Sequence, residues 1–327
     1  MPAGAAPAPA WRWVLLGLLA LLILPAVPVL PVLAPVPQAA VLLVPAIAAC
    51  AVVGWWQGGR LALAVIWVAA AVWLLTRPLP GSEGFASLAR GWGVLLAAMF
   101  GLLCVLRPRR PVFDQALVAV ALTFVVALAV LLTLPGAIGT DLGRLVEAEY
   151  ASRVGEWRAW ITSVGAQPGW MQELREPVLA EYARLPDRSV AMLPAALALQ
   201  SLAVLAVAWA LYQRLGRARI GPSIGRLRDF RFNDQLVWGL IVGITLVLVE
   251  AFGELRGAGI NLLVFFGALY VVRGAGVLAW LLGPKRWARV LLVTVGVIAW
   301  QLLAPFALVL GVGDTWLDWR GRTRPTS

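Results

Sequence analysis

Apolar runs of about 18 residues or more recur along most of this chain, and no other feature narrows its fold so far. In lipid the backbone must satisfy itself, so only helices or closed barrels cross. Barrel strands alternate in polarity, and these runs do not. With 61% hydrophobic and 13% charged residues among 327, the chain is an all-α integral membrane protein. Nine candidate spans can be drawn, at about Trp11–Leu33, Gln38–Trp56, Arg60–Leu75, Arg90–Leu106, Gln115–Leu134, Leu193–Leu211, Gln235–Gly253, Ile260–Gly283 and Val290–Val312.

The first span has Arg12 ahead of an apolar core and Ala34 at a possible cleavage point. With so many spans to follow, it reads as an uncleaved signal-anchor. Its outer half, with Pro25, Pro28, Pro31, Pro35 and Pro37, is either an extended exit into the headgroups or a broken helix lining a cavity. Only Gln57-Gly58-Gly59 separates spans two and three, which predicts a tight hairpin.

The net charge of +11 sits in short loops, which is the positive-inside pattern and not a nucleic-acid footprint. Arg107, Arg109 and Arg110 form one cluster. Arg214, Arg217, Arg219, Arg226, Arg228 and Arg231 form another, and Lys285, Arg286 and Arg289 a third. An inside amino terminus puts all three on the cytoplasmic face. Nine spans then leave Arg320, Arg322 and Arg324 outside, against the pattern. Eight result if one thin early segment does not cross, and both counts stay open.

Residues 136–192 differ in kind, with eight acids against six arginines. Leu142, Val146, Tyr150, Val154, Trp157, Ile161 and Val164 predict one amphipathic helix, and Met171, Leu174, Val178, Tyr182 and Leu185 a second. This layout gives an amino-terminal bundle over 1–135, an amphipathic insertion over 136–192 between spans five and six, and a carboxy-terminal bundle over 193–327. The insertion is read as lying on the outer surface or capping the bundle mouth.

The chain has no His, which removes His-based acid–base and metal chemistry. Cys50 and Cys104 both lie in apolar runs and read as core residues. No nucleophile–base pair stands out, and no metal or cofactor is expected; the chain is read as not an enzyme. Ionisable residues within apolar runs occur only around 235–283. Glu250 and Glu254, one turn apart, form an acidic pair that Arg256 and Asn261 could neutralise. Arg273 lies about 18 Å further along the helix from Asn261, at 1.5 Å per residue. It either snorkels to the cytoplasmic face or anchors a carboxylate or phosphate. Charges at such depth mark function, so Glu250, Glu254, Arg256, Asn261 and Arg273 are the candidate substrate-binding residues.

Four segments carry a family resemblance: LPAALALQSLAVLAVAWALYQRLG (193–216), RLRDFRFNDQLVW (226–238), NLLVFFGALYVVRGAGVLAWLL (261–282) and GVGDTWLDWR (311–320). In this order they resemble the YybS-like family of multi-pass bacterial membrane proteins. The closing element of that family follows the last span and here reads Asp314, Asp318, Trp319, Arg320; Asp314, Asp318 and Arg320 could close a salt bridge with a neighbouring loop. The resemblance implies a bacterial cytoplasmic membrane location, and a remote similarity to the substrate-binding subunits of vitamin-uptake systems. Two functions follow as expectations. One is a small-molecule transporter or its substrate-binding subunit. The other is a non-transporting scaffold of the cell envelope, contacting protein partners through the 136–192 insertion and the arginine-rich loop. Lipid is the common partner of both.

Overall fold

The computed structural model describes residues 36–78, 82–133, 144–145, 147–149, 151–152, 155, 159, 185–283 and 300–322. The first span and the second amphipathic helix fall outside the described residues. Every regular element among the described residues is helical: α1 (Val36–Trp56), α2 (Leu61–Thr76), α3 (Glu83–Leu106), α4 (Val112–Thr133), α5 (Leu185–Leu215), α6 (Val237–Leu248), α7 (Arg256–Leu281), α8 (Trp300–Leu317) and a final turn, α9 (Trp319–Arg322). By length and composition, five described stretches can cross a membrane: Ala39–Trp56, Glu83–Leu106, Val112–Leu131, Ala191–Leu215 and Glu250–Leu281. Three shorter apolar helices, Leu61–Thr76, Asp234–Leu248 and Leu302–Leu317, accompany them.

The chain forms two compact units, Met1–Val190 with Gln200–Ser223, and Ala191–Leu199 with Ile224–Ser327. In the first, α1, α3 and the later part of α5 run parallel. Gly93 lies against the Val41 carbonyl and Gly101 against Ala49, so the contacts advance together along both helices. Likewise Trp92 Nε1 donates to Ser201 Oγ at 3.0 Å, and Phe100 meets Trp209 edge-on at 6.0 Å. The Trp92 indole N–H thus has a partner inside the packed seam, and the small residues lie where the helices touch. The hairpin expected between spans two and three is present. Gly58, at φ +90°, ends α1, while the Gly59 N–H bonds the Gly54 carbonyl at 2.8 Å. Only Ala64 and Ala71 of α2 are buried, so its all-round apolar surface faces outward.

Helix α3 starts at Glu83, earlier than the expected Arg90. The buried Glu149 of the insertion accepts a hydrogen bond from the Ser82 N–H at 2.8 Å, and Leu145 lies against Gly84. A carboxylate at a helix amino terminus stabilises both the free N–H groups and the dipole, which accounts for the extra turns. The described positions between 144 and 159 are helical, in line with the first amphipathic pattern.

The second unit differs most from expectation. Span seven, drawn at Gln235–Gly253, is a helix only over Val237–Leu248, 12 residues long. That is roughly 18 Å at 1.5 Å per residue, well short of the ~30 Å hydrocarbon core. Val249 is extended, and Glu250–Leu255 forms a 3-10 turn with Phe252 off helical geometry. Arg256, expected in the turn, opens α7. Helix α6 packs antiparallel on α7 through Gly239 under Phe266 and Gly243 under Leu263. Helix α8 also packs antiparallel on α7, with Gly274 against the Ala307 carbonyl and Gly311 against the Tyr270 carbonyl. Small residues at these points let backbones touch. The segment before α6 is not helical, apart from short 3-10 turns at Leu227–Asp229 and Asp234–Leu236. It lies along the later half of α7, with the Leu227 carbonyl over Gly276 and Phe232 edge-on to Tyr270 at 5.1 Å.

Candidate functional site

Arg273 is the centre of this second unit. Its side chain is 2% exposed although it lies well inside the apolar stretch Glu250–Leu281. Nε donates to Asp314 Oδ2 at 3.0 Å and Nη1 to Asp234 Oδ1 at 2.6 Å, while Phe232 covers the guanidinium at 5.3 Å. Snorkelling is therefore corrected to a buried, paired guanidinium. The reason is local: Gly274 and Gly276 bring α8 and the 227–236 segment so close to α7 that two carboxylates reach Arg273.

Asp314 is the second member. It is fully buried and also accepts from Arg320, at 2.5 Å from Nη2 and 3.3 Å from Nε. Arg320, 4% exposed, donates its Nη1 to the carbonyls of Arg228 and Phe230 at 3.1 and 3.0 Å. The closing element is thus not a free tail after the last span. Asp314 lies inside α8, Asp318 at φ +41° turns the chain, and Arg320 returns to hold the 228–230 backbone. Asp318 itself pairs with Arg231 at 2.6 Å, with both side chains exposed. The tail therefore meets the later part of the arginine-rich loop directly. Three arginines and three aspartates balance, and each buried charge has a charged hydrogen-bond partner, as burial demands.

The acidic pair does not form a comparable site. Glu250, Glu254 and Arg256 are all exposed, and no ion pair joins any of them to another described residue. The 3-10 turn explains this, because positions four apart do not stack in it as they do in an α-helix. Asn261 is occupied elsewhere. Its Oδ1 accepts from the Ala195 N–H at 3.0 Å, and its Nδ2 donates to the carbonyls of Ala191 and Gly257 at 2.7 and 2.9 Å. Ala195 N–H and Ala191 C=O would ordinarily bond each other within α5. The amide of Asn261 gives both groups a partner from α7 next to Pro194, whose ring nitrogen has no N–H to donate.

Of the sequence candidates, Arg273, Asp314 and Arg320 converge, and Asp318 joins at the rim. Asp234 was not singled out. Its signal was its place at the opening of an apolar helix, beside Asn233, whose Oδ1 caps the Gln235 N–H at 3.0 Å.

A bundle of apolar helices around a buried ionic centre defines an integral membrane protein of the helical class. The short α6 and the irregular backbone packed on α7 set this one apart from a plain bundle of spanning rods. The chain belongs to the family described as "Predicted membrane protein (DUF2232)", whose model matches residues 13–315. The matched region includes Asp234, Arg273 and Asp314 and stops before Asp318 and Arg320. No curated protein and no solved structure matches the chain.

Proposed function

We propose that this chain is a small-molecule membrane transporter, or the substrate-binding membrane subunit of one, with eight or nine crossings and its working site at Arg273. The observation that carries this reading is the asymmetry of the two carboxylates on Arg273. Asp314 is fully buried, whereas the Asp234 side chain is 61% exposed. Stability alone is a poor account of such a centre, since well-packed apolar residues serve a buried pair's place as well or better. Ionisable groups kept inside membrane segments mark substrate or ion paths. Half-length helices joined to irregular backbone are also how transporter sites present polar groups at depth. Within this reading the closing element keeps the 228–230 backbone in place around the site. The substrate-binding-subunit role implied by the YybS-like resemblance is one form of the same proposal, and no covalent chemistry is required of the protein.

The test is thermal stabilisation of the purified wild type by a broad metabolite panel, repeated with Arg273→Lys. A ligand that raises the wild-type midpoint and loses its effect in Arg273→Lys supports the reading. If no metabolite stabilises the wild type, or stabilisation is equal in Arg273→Lys, the transporter reading fails.

A further inference from the structure

Resting on that reading, we propose that Asp234 is an internal stand-in for the substrate: a small carboxylate anion displaces it from Arg273 Nη1, so the transported class is carboxylate-bearing.

The two acids on Arg273 are held very differently. Asp314 accepts three hydrogen bonds from two guanidiniums and has no exposed surface. It is the fixed counter-charge. Asp234 makes a single side-chain contact, through one oxygen to Nη1. Its neighbours Arg231, Asn233 and Gln235 are exposed as well, while Phe232 between them is buried against Tyr270 and Arg273. A run of exposed charged and amide side chains is too costly in hydrocarbon, so this edge of the second unit meets water. Arg273 thus has one face sealed by protein and one face closed only by a detachable carboxylate at a wet edge.

Charge balance favours exchange over simple addition. An anion that entered beside Asp234 would leave the centre with surplus negative charge in a poorly solvated place. One that replaces Asp234 leaves the balance of three arginines and three carboxylates unchanged, with Asp234 released to water, where an aspartate is well solvated. A guanidinium offers planar, paired N–H donors that suit a carboxylate, and Nη1 is the donor that the exchange frees. Displacement also has a mechanical result. Asp234 opens the 3-10 turn Asp234–Leu236 that leads directly into α6. Its release frees that end of α6 from α7, while Arg320 still holds residues 228 and 230. Binding would then be coupled to movement of the short helix, with the clamp as the fixed point.

The experiment is chemical rescue on the purified full chain. Asp234→Ala opens the Nη1 face, and thermal midpoints are compared in sodium acetate, sodium phosphate and sodium chloride at equal ionic strength. The expected result is a lower midpoint for Asp234→Ala in chloride and an upward shift in acetate, as any ligand specific to the folded state produces. That shift should be much smaller in the wild type, where acetate must compete with Asp234, and absent in Asp234→Ala/Arg273→Met. Should Asp234→Ala not fold, Asp234→Ser carries the same comparison, because its short side chain also leaves Nη1 open and removes the charge. Equal midpoints in acetate and chloride overturn the proposal. A shift in phosphate without one in acetate overturns the carboxylate assignment, and an acetate shift that survives Arg273→Met places the anion elsewhere and overturns it too. Acetate rescue can fail while the metabolite panel still stabilises the wild type. In that case only the stand-in role of Asp234 falls, and the transporter reading stands.

Discussion

Replacing Asp314 by Asn is the sharpest test of the ionic centre. The substitution changes shape very little and removes one negative charge. Asp314 takes hydrogen bonds from Arg273 Nε and from Arg320 Nε and Nη2, and those two guanidiniums are 2% and 4% exposed. After the change Arg273 keeps the Asp234 carboxylate, but Arg320 has only neutral oxygens, the Arg228 and Phe230 carbonyls and the new amide. Breaking a buried pair from one side costs about 3–5 kcal/mol, against roughly 0–1 kcal/mol for a surface pair. Unfolding in mixed micelles by a graded denaturing detergent, with hydrogen exchange along α8 as the local readout, measures the loss. A double-mutant cycle with Arg320→Met then separates the pair from the remainder. Coupling of about 1.5 kcal/mol or more is expected for charges this close. A single-mutant loss under about 1 kcal/mol, or no coupling, would show that the centre is solvated and refute the argument.

Gly274→Ala puts a methyl group into the Ala307 carbonyl oxygen and should separate α7 from α8, at about 1–3 kcal/mol. Gly267→Ala, on the same helix with open space around it, should instead gain about 0.5–1 kcal/mol, so thermal midpoints of the two variants should move in opposite directions. Asn261→Leu removes the two hydrogen bonds that tie α5 to α7 and should cost about 1–3 kcal/mol, seen as faster amide exchange at 191–195. Arg231→Gln removes an exposed pair; its cost should stay under about 1 kcal/mol and vanish as salt is raised. Glu250→Gln and Glu254→Gln, exposed and without an ion pair among the described residues, should leave the unfolding free energy within about 0.5 kcal/mol of wild type.

Hydropathy alone located the described helices of the first unit to within a few residues at most ends. Two starts come early: α5 begins at Leu185 where Leu193 was expected, and α3 at Glu83, where a contact from Glu149 of the insertion to Ser82 extends the helix and no local pattern encodes it. Around the site, sequence reading found Arg273 because a charge in an apolar run stands out at once. It gave Asp314, Asp318 and Arg320 a salt bridge to a neighbouring loop, which Asp318 makes to Arg231, but did not join Asp314 to Arg273, 41 residues earlier in the chain. Asp234 was passed over because an acid before an apolar helix is ordinary, and only its distance to Arg273 makes it special. The break of α6 at Val249 was also hidden, since Ala251 and Phe252 carry the apolar run past Glu250 and neither Gly nor Pro stands at the break itself. Hydropathy registers the solvent a residue prefers, and it is blind to where the backbone turns.

The spacing of the two acids about Arg273 also bears on how the protein is made. Asp234 precedes Arg273 by 39 residues, and Asp314 follows it by 41. As the chain emerges, Asp234 is already made when Arg273 enters the membrane, whereas Asp314 is not. The hairpin α6–α7 therefore carries its own neutralisation during insertion, which a 12-residue helix entering alone could not supply. The clasp by Asp314 and Arg320 follows as a separate, later event. Nascent chains arrested before residue 314 should hold an inserted yet unlatched second unit, which gives membrane quality-control proteases a physical basis for telling a finished molecule from an unfinished one.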